Sequence, residues 1–289
     1  MQRLTVYSHP LRIIWQEAPI GRLLQGATPV YAKTLISRLF TLCAQAHSAA
    51  AALLLFPEKK PDMQAAQQEL ARETLRRALT DWLPLFSHRQ ATAEEWALSP
   101  LASTIFFDDD PQTWLAAGVK GWEAWFLQER SETARWLAAV QNIITPTLPM
   151  ASSPDHTLIT HGPLDVSPLA IEYPLLSACC LSGKTTALRL LARCITLARS
   201  LSALPTLRWN RFDDGEWKIA VVETARGWLV HQARLTTSGN ILDYRIISPT
   251  TRHAQPDGVI ARELATIPLS LWSQQLQVID PCVAVNIVE

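Results

Sequence analysis

Three short runs, 217–223, 227–236 and 240–248, concentrate β-branched and aromatic residues and are separated by turn residues, including Ser238-Gly239-Asn240. Runs of that length pair as an antiparallel meander, because alternate side chains can share one buried face while tight turns return the chain. No other part of the sequence carries so clear a strand signal. Residues 30–56 read as a helix or a closely spaced pair that ends before Pro57, since proline cannot continue a helix. Residues 63–86 repeat Leu70, Leu75, Leu79 and Leu83 at helical spacing among good helix formers. Pro111, at a first-turn position, opens a helix expected to run to about Ile144 with Trp114, Trp122, Trp125 and Trp136 on it. Residues 185–201 form another, with Gly183 just before them, and residues after 249 read as short helix and coil. The expected fold is α+β and mainly helical. It is a single domain with a helical part over 30–201, a possible Pro/Ser/Thr-rich linker at 145–155, a small antiparallel β meander over 217–248 and a C-terminal segment, 249–289.

A chain of 289 residues with 48% hydrophobic content can bury a sizeable core. Its 26 Lys plus Arg cancel 26 Asp plus Glu, which speaks against nucleic acid or an anionic membrane as the main partner. The first residues lack a basic stretch followed by an apolar one, and the longest apolar run, 48–56, falls well short of the roughly 20 residues a spanning helix needs. A cytoplasmic protein without membrane insertion is the expectation. Five cysteines, Cys43, Cys179, Cys180, Cys194 and Cys282, are an odd number without a disulfide framework, consistent with reduced thiols. The stretch from Ala178 to Thr185 fits a relaxed phosphate-loop pattern, but alanine replaces its first glycine, so a solvated Lys184 at a helix start accounts for it better.

Two segments at opposite ends carry the chemistry: Arg38-Leu39-Phe40-Thr41-Leu42-Cys43-Ala44-Gln45-Ala46-His47, and Asp280-Pro281-Cys282-Val283-Ala284-Val285. They resemble the R-x-C-x-x-C-x-x-x-H and D-P-C-x-x-C motifs of nickel–iron hydrogenase large subunits. The likeness continues in order. His161-Gly162-Pro163-Leu164-Asp165-Val166-Ser167-Pro168-Leu169-Ala170 is similar to a V-G-P-L-A segment, with Ser167 for glycine. Arg189, Ala192 and Arg193 fit R-x-x-A-R, and Glu223-Thr224-Ala225-Arg226-Gly227 with His231 fits E-A-P-R-G-x-L-x-H. Ser248-Pro249-Thr250-Thr251 resembles P-T-x-W-N, although Arg252 and His253 replace the Trp and Asn. Residues 60–150 do not align with that family.

In such a family four thiolates hold a nickel and an iron that carries cyanide and carbon monoxide. Here Phe40 and Val285 stand at two of the four positions, leaving Cys43 and Cys282. Neither Phe nor Val offers a lone pair, so the metal pair cannot be held. The R-x-E-G-H motif is absent, position 288 is Val instead of His, and the sequence ends at Glu289 without a segment for a maturation protease to remove. The resemblance therefore implies a non-catalytic assembly scaffold of the HupK/HoxV type. It would carry, or help assemble, an Fe(CN)2(CO) fragment on Cys43 and Cys282, transiently and without nickel. Arg226 and Thr250 match positions around the diatomic ligands, and His47, four residues after Cys43, is expected to orient the sulfur or hydrogen-bond to it. Implied partners are the hydrogenase maturation proteins and the immature large subunit. The alternatives are a metal-free structural relative and, less in keeping with the missing thiolates, an active hydrogenase or hydrogen sensor. Cys179, Cys180, Cys194, Glu223, His231 and His253 are expected to be structural.

Overall fold

The computed structural model describes residues 2–96, 106–202 and 206–289. The chain opens as a hairpin, β1 (Arg3–Ser8) and β2 (Leu11–Gln16), followed by a short helix, α1 (Ile20–Leu24). Helix α2 (Pro29–Leu39) starts as its sequence dictates, with the Thr28 hydroxyl accepting the Tyr31 amide and Pro29 in the first turn. Helix α3 (Ala44–Leu55) begins after a break of four residues. Residues 30–56 are thus a closely spaced pair, and the break falls on Phe40-Thr41-Leu42-Cys43. Helix α4 (Gln64–Arg77) continues through a π turn, Ala78–Trp82, into α5 (Leu83–Ser87). A single turn, α6 (Ala93–Trp96), comes next. The helix expected from Pro111 to about 144 is instead two, α7 (Pro111–Gln128) and α8 (Glu132–Val140), because the Ser131 hydroxyl accepts the Ala134 amide and starts a new helix.

Helices α9 (Pro168–Leu176) and α10 (Thr185–Ser202) complete the helical half. Every residue of α10 from Thr185 to Ala198 is buried, and the helix packs against α4, α7, α8, α9 and a later helix. A helix buried on all sides must neutralise any charge it carries. Arg189 accordingly pairs with Asp165 and Glu263 at 2.6 and 2.7 Å, and Arg193 donates to the carbonyls of Val278 and Ile279. Trp82 and Trp136 are fully buried in the same core, alongside Cys179 and Cys194. Residues 145–155, read as a possible linker, form a packed thread. Leu148 and Ala151 are buried, and the Ala151 amide bonds the Asp165 carbonyl at 3.0 Å.

The meander is present with one more strand. Strands β3 (Trp209–Asp214), β4 (Trp217–Thr224), β5 (Gly227–Leu235) and β6 (Ile241–Ile247) form one antiparallel sheet in that order. Helix α3 lays its Ala- and Leu-rich side on β4 and β5. Gly227, at φ +119°, turns the chain where a Cβ would lie 1.9 Å from the Val166 carbonyl oxygen, so only glycine fits after Arg226. Helices α11 (Pro249–His253), α12 (Val259–Leu264) and α13 (Trp272–Ile279) follow. The chain then forms β7 (Val285–Val288), which pairs in parallel with β1 to give a second sheet ordered β2-β1-β7. The expectation of helix and coil after 249 is corrected by that strand. Its register sets Leu4 against Val285, a pairing no local pattern announces. Among the described residues, no helix is long and apolar enough to cross a membrane.

Candidate functional site

Cys43 occupies the residue before α3 in a left-handed conformation, φ 57°, and its side chain caps nothing. The helix start is satisfied from outside: the Glu69 carboxylate on α4 accepts the Gln45 and Ala46 amides at 3.0 Å. The Cys43 thiol is thereby left free. At the other end, Asp280 also takes a left-handed conformation, φ 60°, ending α13 and turning the chain into Pro281-Cys282. The Cys282 amide donates to the Thr250 hydroxyl oxygen at 2.9 Å, so α11 pins the loop that carries the second thiol. Non-glycine residues at such dihedrals persist only where the surroundings impose them.

Both cysteines line one cleft of about 1750 Å³, together with Phe40, His47, Arg226 and Val285. Positions 43 and 282 lie at the two ends of the sequence, yet they share this wall. A smaller pocket of about 320 Å³ lies against the same loop; it shares Arg226 and Cys282 and adds Arg76 and Arg77. Three exposed leucines, Leu23, Leu39 and Leu242, also line the large cleft, giving its mouth an apolar character.

Arg226 joins the site together. It is 2% exposed, with Nη1 3.7 Å from the Cys43 Sγ and Nη2 donating to Glu73 at 2.6 Å. Its Nε lies 3.4 Å from an Asp280 oxygen, and Asp280 also meets Arg77 at 2.7 Å and Arg193 at 3.1 Å. Burial alone would raise the Glu73 carboxyl, but the guanidinium groups of Arg76 and Arg226 bring it down to about 2. Burial works against the charge of Arg226 as well, yet the carboxylates of Asp280 and Glu73 hold its pKa above the ordinary arginine value. The thiols behave differently. Burial pushes Cys43 up to about 12 against the pull of Arg226, and burial raises Cys282 against Thr250 and Arg226. Both rest as neutral thiols, so a soft metal would enter by displacing their protons.

The bond that His47 makes is not to a sulfur, as the sequence led us to expect. Its Nδ1 lies 2.9 Å from the His231 Nε2, and the His231 Nδ1 lies 2.7 Å from the Tyr244 hydroxyl. Phe40 stacks flat on the His47 ring, with centroids 3.4 Å apart and planes within 6°. Thr250 sits behind Cys282, holding its backbone. Glu223 binds Arg208 through its amide and guanidinium, and His253 is buried against Val166 and Asp165. Among the described residues no group of three or more His, Cys, Asp or Glu side chains is placed to hold a metal ion.

The buried imidazoles predict an acid-side loss of stability. Burial pushes His231 down to about 3 and lowers His47 and His253 as well. These rings stay neutral in the fold but take up protons below about 6.5 once unfolded. Their contribution is complete above that pH and is lost as pH falls towards 3. Urea unfolding at pH 7.5, 5.5 and 4 should show a steadily falling midpoint, and His231→Gln should flatten the trend; a midpoint independent of pH would contradict it.

No family model matches the chain. A Rhodobacter capsulatus protein, hydrogenase expression/formation protein HupK, is 29% identical over 282 residues, covering 94% of this chain and 90% of its own length. An NAD+-reducing NiFe hydrogenase in the H2-reduced state superposes with a TM-score of 0.53 at 14% identity, over 94% of this chain and 92% of that one. The NiFeSe hydrogenase of Dm. baculatum gives 0.54 at 11% identity, over 94% and 93%. The fold is that of the nickel–iron hydrogenase large subunits.

Several residues of this large-subunit fold that shape the site escaped the sequence reading. Glu73 lies in the stretch that showed no resemblance, and its only local signal is Arg76 three residues on. Asp280 was visible in its motif, but nothing local says that three arginines converge on it. Tyr244 sits in a strand with no hint that its hydroxyl ends a chain of two imidazoles.

Proposed function

We propose that this chain is a non-catalytic scaffold of nickel–iron hydrogenase maturation that carries an iron fragment, with its cyanide and carbonyl ligands, on Cys43 and Cys282. The observation that carries the reading is that both cysteines line one cleft, with the Arg226 guanidinium beside Cys43. The large-subunit fold and the similarity to a hydrogenase formation protein support it. Two thiolates are too few for a bare metal, but an iron that brings strong-field diatomic ligands needs only the remaining positions filled. Loading displaces the two thiol protons and leaves a dianionic complex. Arg226 is placed to balance that charge, and its Nη1 can donate to a cyanide nitrogen.

In this reading the scaffold works in the cytoplasm and binds its partners transiently. They are the other hydrogenase maturation proteins, which supply the fragment, and the immature large subunit, which receives it. Phe40 and Val285 stand where two further thiolates would be needed for nickel, so turnover of hydrogen is not expected. Infrared spectroscopy tests the proposal on protein co-produced with the maturation machinery and purified without oxygen. Cyanide and carbonyl stretching bands are expected together with iron and without nickel. Protein that carries neither iron nor those bands would favour the metal-free relative, and hydrogen uptake after nickel and iron loading would overturn the non-enzyme reading.

A further inference from the structure

A carrier for iron faces a competition that its donor atoms cannot win. Nickel, copper and zinc bind nitrogen and sulfur ligands more tightly than ferrous iron does, so such a site must refuse them by geometry. Cys43 and Cys282 share their cleft with His47, one helical turn after Cys43. If that imidazole swung to join the two thiolates, the result would be two sulfurs, one nitrogen and an open position, a donor set suited to zinc. The structure does not show this set, since no three such side chains among the described residues are placed to hold a metal.

Two contacts keep the imidazole away. The first is the 2.9 Å bond of Nδ1 to His231, itself fixed by Tyr244. The second is Phe40, whose ring lies parallel on His47 at 3.4 Å. The outer torsion of a histidine is broad and soft, so without a flat neighbour only the His231 bond would hold the ring's orientation. Phe40 is only half-buried and faces the cleft from the break between α2 and α3, three residues before Cys43.

We infer that Phe40 is a metal-selectivity residue: by clamping His47 against His231 it keeps the imidazole from joining Cys43 and Cys282. The pair then remains a two-thiolate site, adequate for a metal that brings its own ligands and poor for bare zinc. The inference rests on the two cysteines forming the site proposed above, but its test needs no iron fragment. Phe40 positions a neighbour; it does not itself touch the metal.

The experiment titrates bare Zn2+ into the reduced full-length protein against a chromophoric chelator. The wild type should bind zinc weakly. Phe40→Ala should bind one zinc at least about tenfold more tightly, the scale on which residues that orient metal ligands act. Phe40→Leu, which keeps apolar bulk but removes the flat face, should gain less. The gain should vanish in Phe40→Ala/His47→Gln and in Phe40→Ala/Cys43→Ser. Far-ultraviolet circular dichroism checks that each variant is folded; should Phe40→Ala not fold, Phe40→Leu is judged by the same criteria. Zinc affinity unchanged by loss of the ring, or a gain that survives His47→Gln, would overturn the inference. Failure of the carrier reading would show separately, as missing infrared bands in the wild type whatever the zinc affinities.

Discussion

Replacing either Cys43 or Cys282 by serine is expected to abolish iron retention while leaving the fold almost untouched. An alcohol oxygen is a hard, poor ligand for a soft low-spin iron, and a single remaining thiolate cannot hold the fragment alone. The structural cost is small for identifiable reasons. Neither side chain caps a helix, since Glu69 satisfies the start of α3 and Thr250 takes the Cys282 amide. Both residues are half-buried at a cleft, where serine opens no cavity. Stability should therefore shift by only about 1 kcal/mol. Iron content and infrared bands report the first effect, and urea denaturation reports the second. Full iron retention in both single variants would remove these cysteines from the site.

Asp280→Asn is expected to be strongly destabilising for so conservative a change. The Asp280 carboxylate faces Arg77 from α4, Arg193 from α10 and Arg226 from the turn after β4, at 2.7, 3.1 and 3.4 Å. Arg193 and Arg226 are each 2% exposed, so water cannot replace the missing charge. Removing one partner from a buried ionic cluster costs about 3–5 kcal/mol. Asparagine has the same shape and tolerates the left-handed backbone at this position, so the loss would come from charge and not from strain. Denaturant unfolding measures it directly. Because the same residue turns the chain into Pro281-Cys282, iron content should fall as well. A loss below 1 kcal/mol would mean that the three guanidinium groups find other counter-charges.

What the sequence made legible was whatever is written locally. The meander announced itself through β-branched runs and turns, and α10 through its unbroken helical composition. The break at 40–43 was half visible: a pair was one of two readings, and only the packed structure shows where it divides. Strand β3, with the sequence Trp-Asn-Arg-Phe-Asp-Asp, hid because its polar residues mimic a loop while pairing with β4 gives it order. Strand β7 hid because its partner is at the far end of the chain. The site shows the same division. The two cysteines and Arg226, which line one cleft, were picked out through motif order. The parts that tune it were not, because Glu73 against Arg226 and Phe40 against His47 are matters of side-chain direction, set only after folding. His47 is the clearest case. Its spacing after Cys43 pointed to the sulfur, and a histidine 184 positions away claimed the ring nitrogen instead.

The parallel pairing of β1 with β7 also has a bearing on how the molecule comes into being. Cys43 leaves the ribosome 239 residues ahead of Cys282, counting from 43 to 282, which at about 5–20 residues per second is some tens of seconds. Through that interval β1 has only β2 beside it, and the first thiol waits without its counterpart. On the carrier reading proposed above, a nascent chain would offer one thiol of the two, and the pair would be complete only once residue 282 has been made.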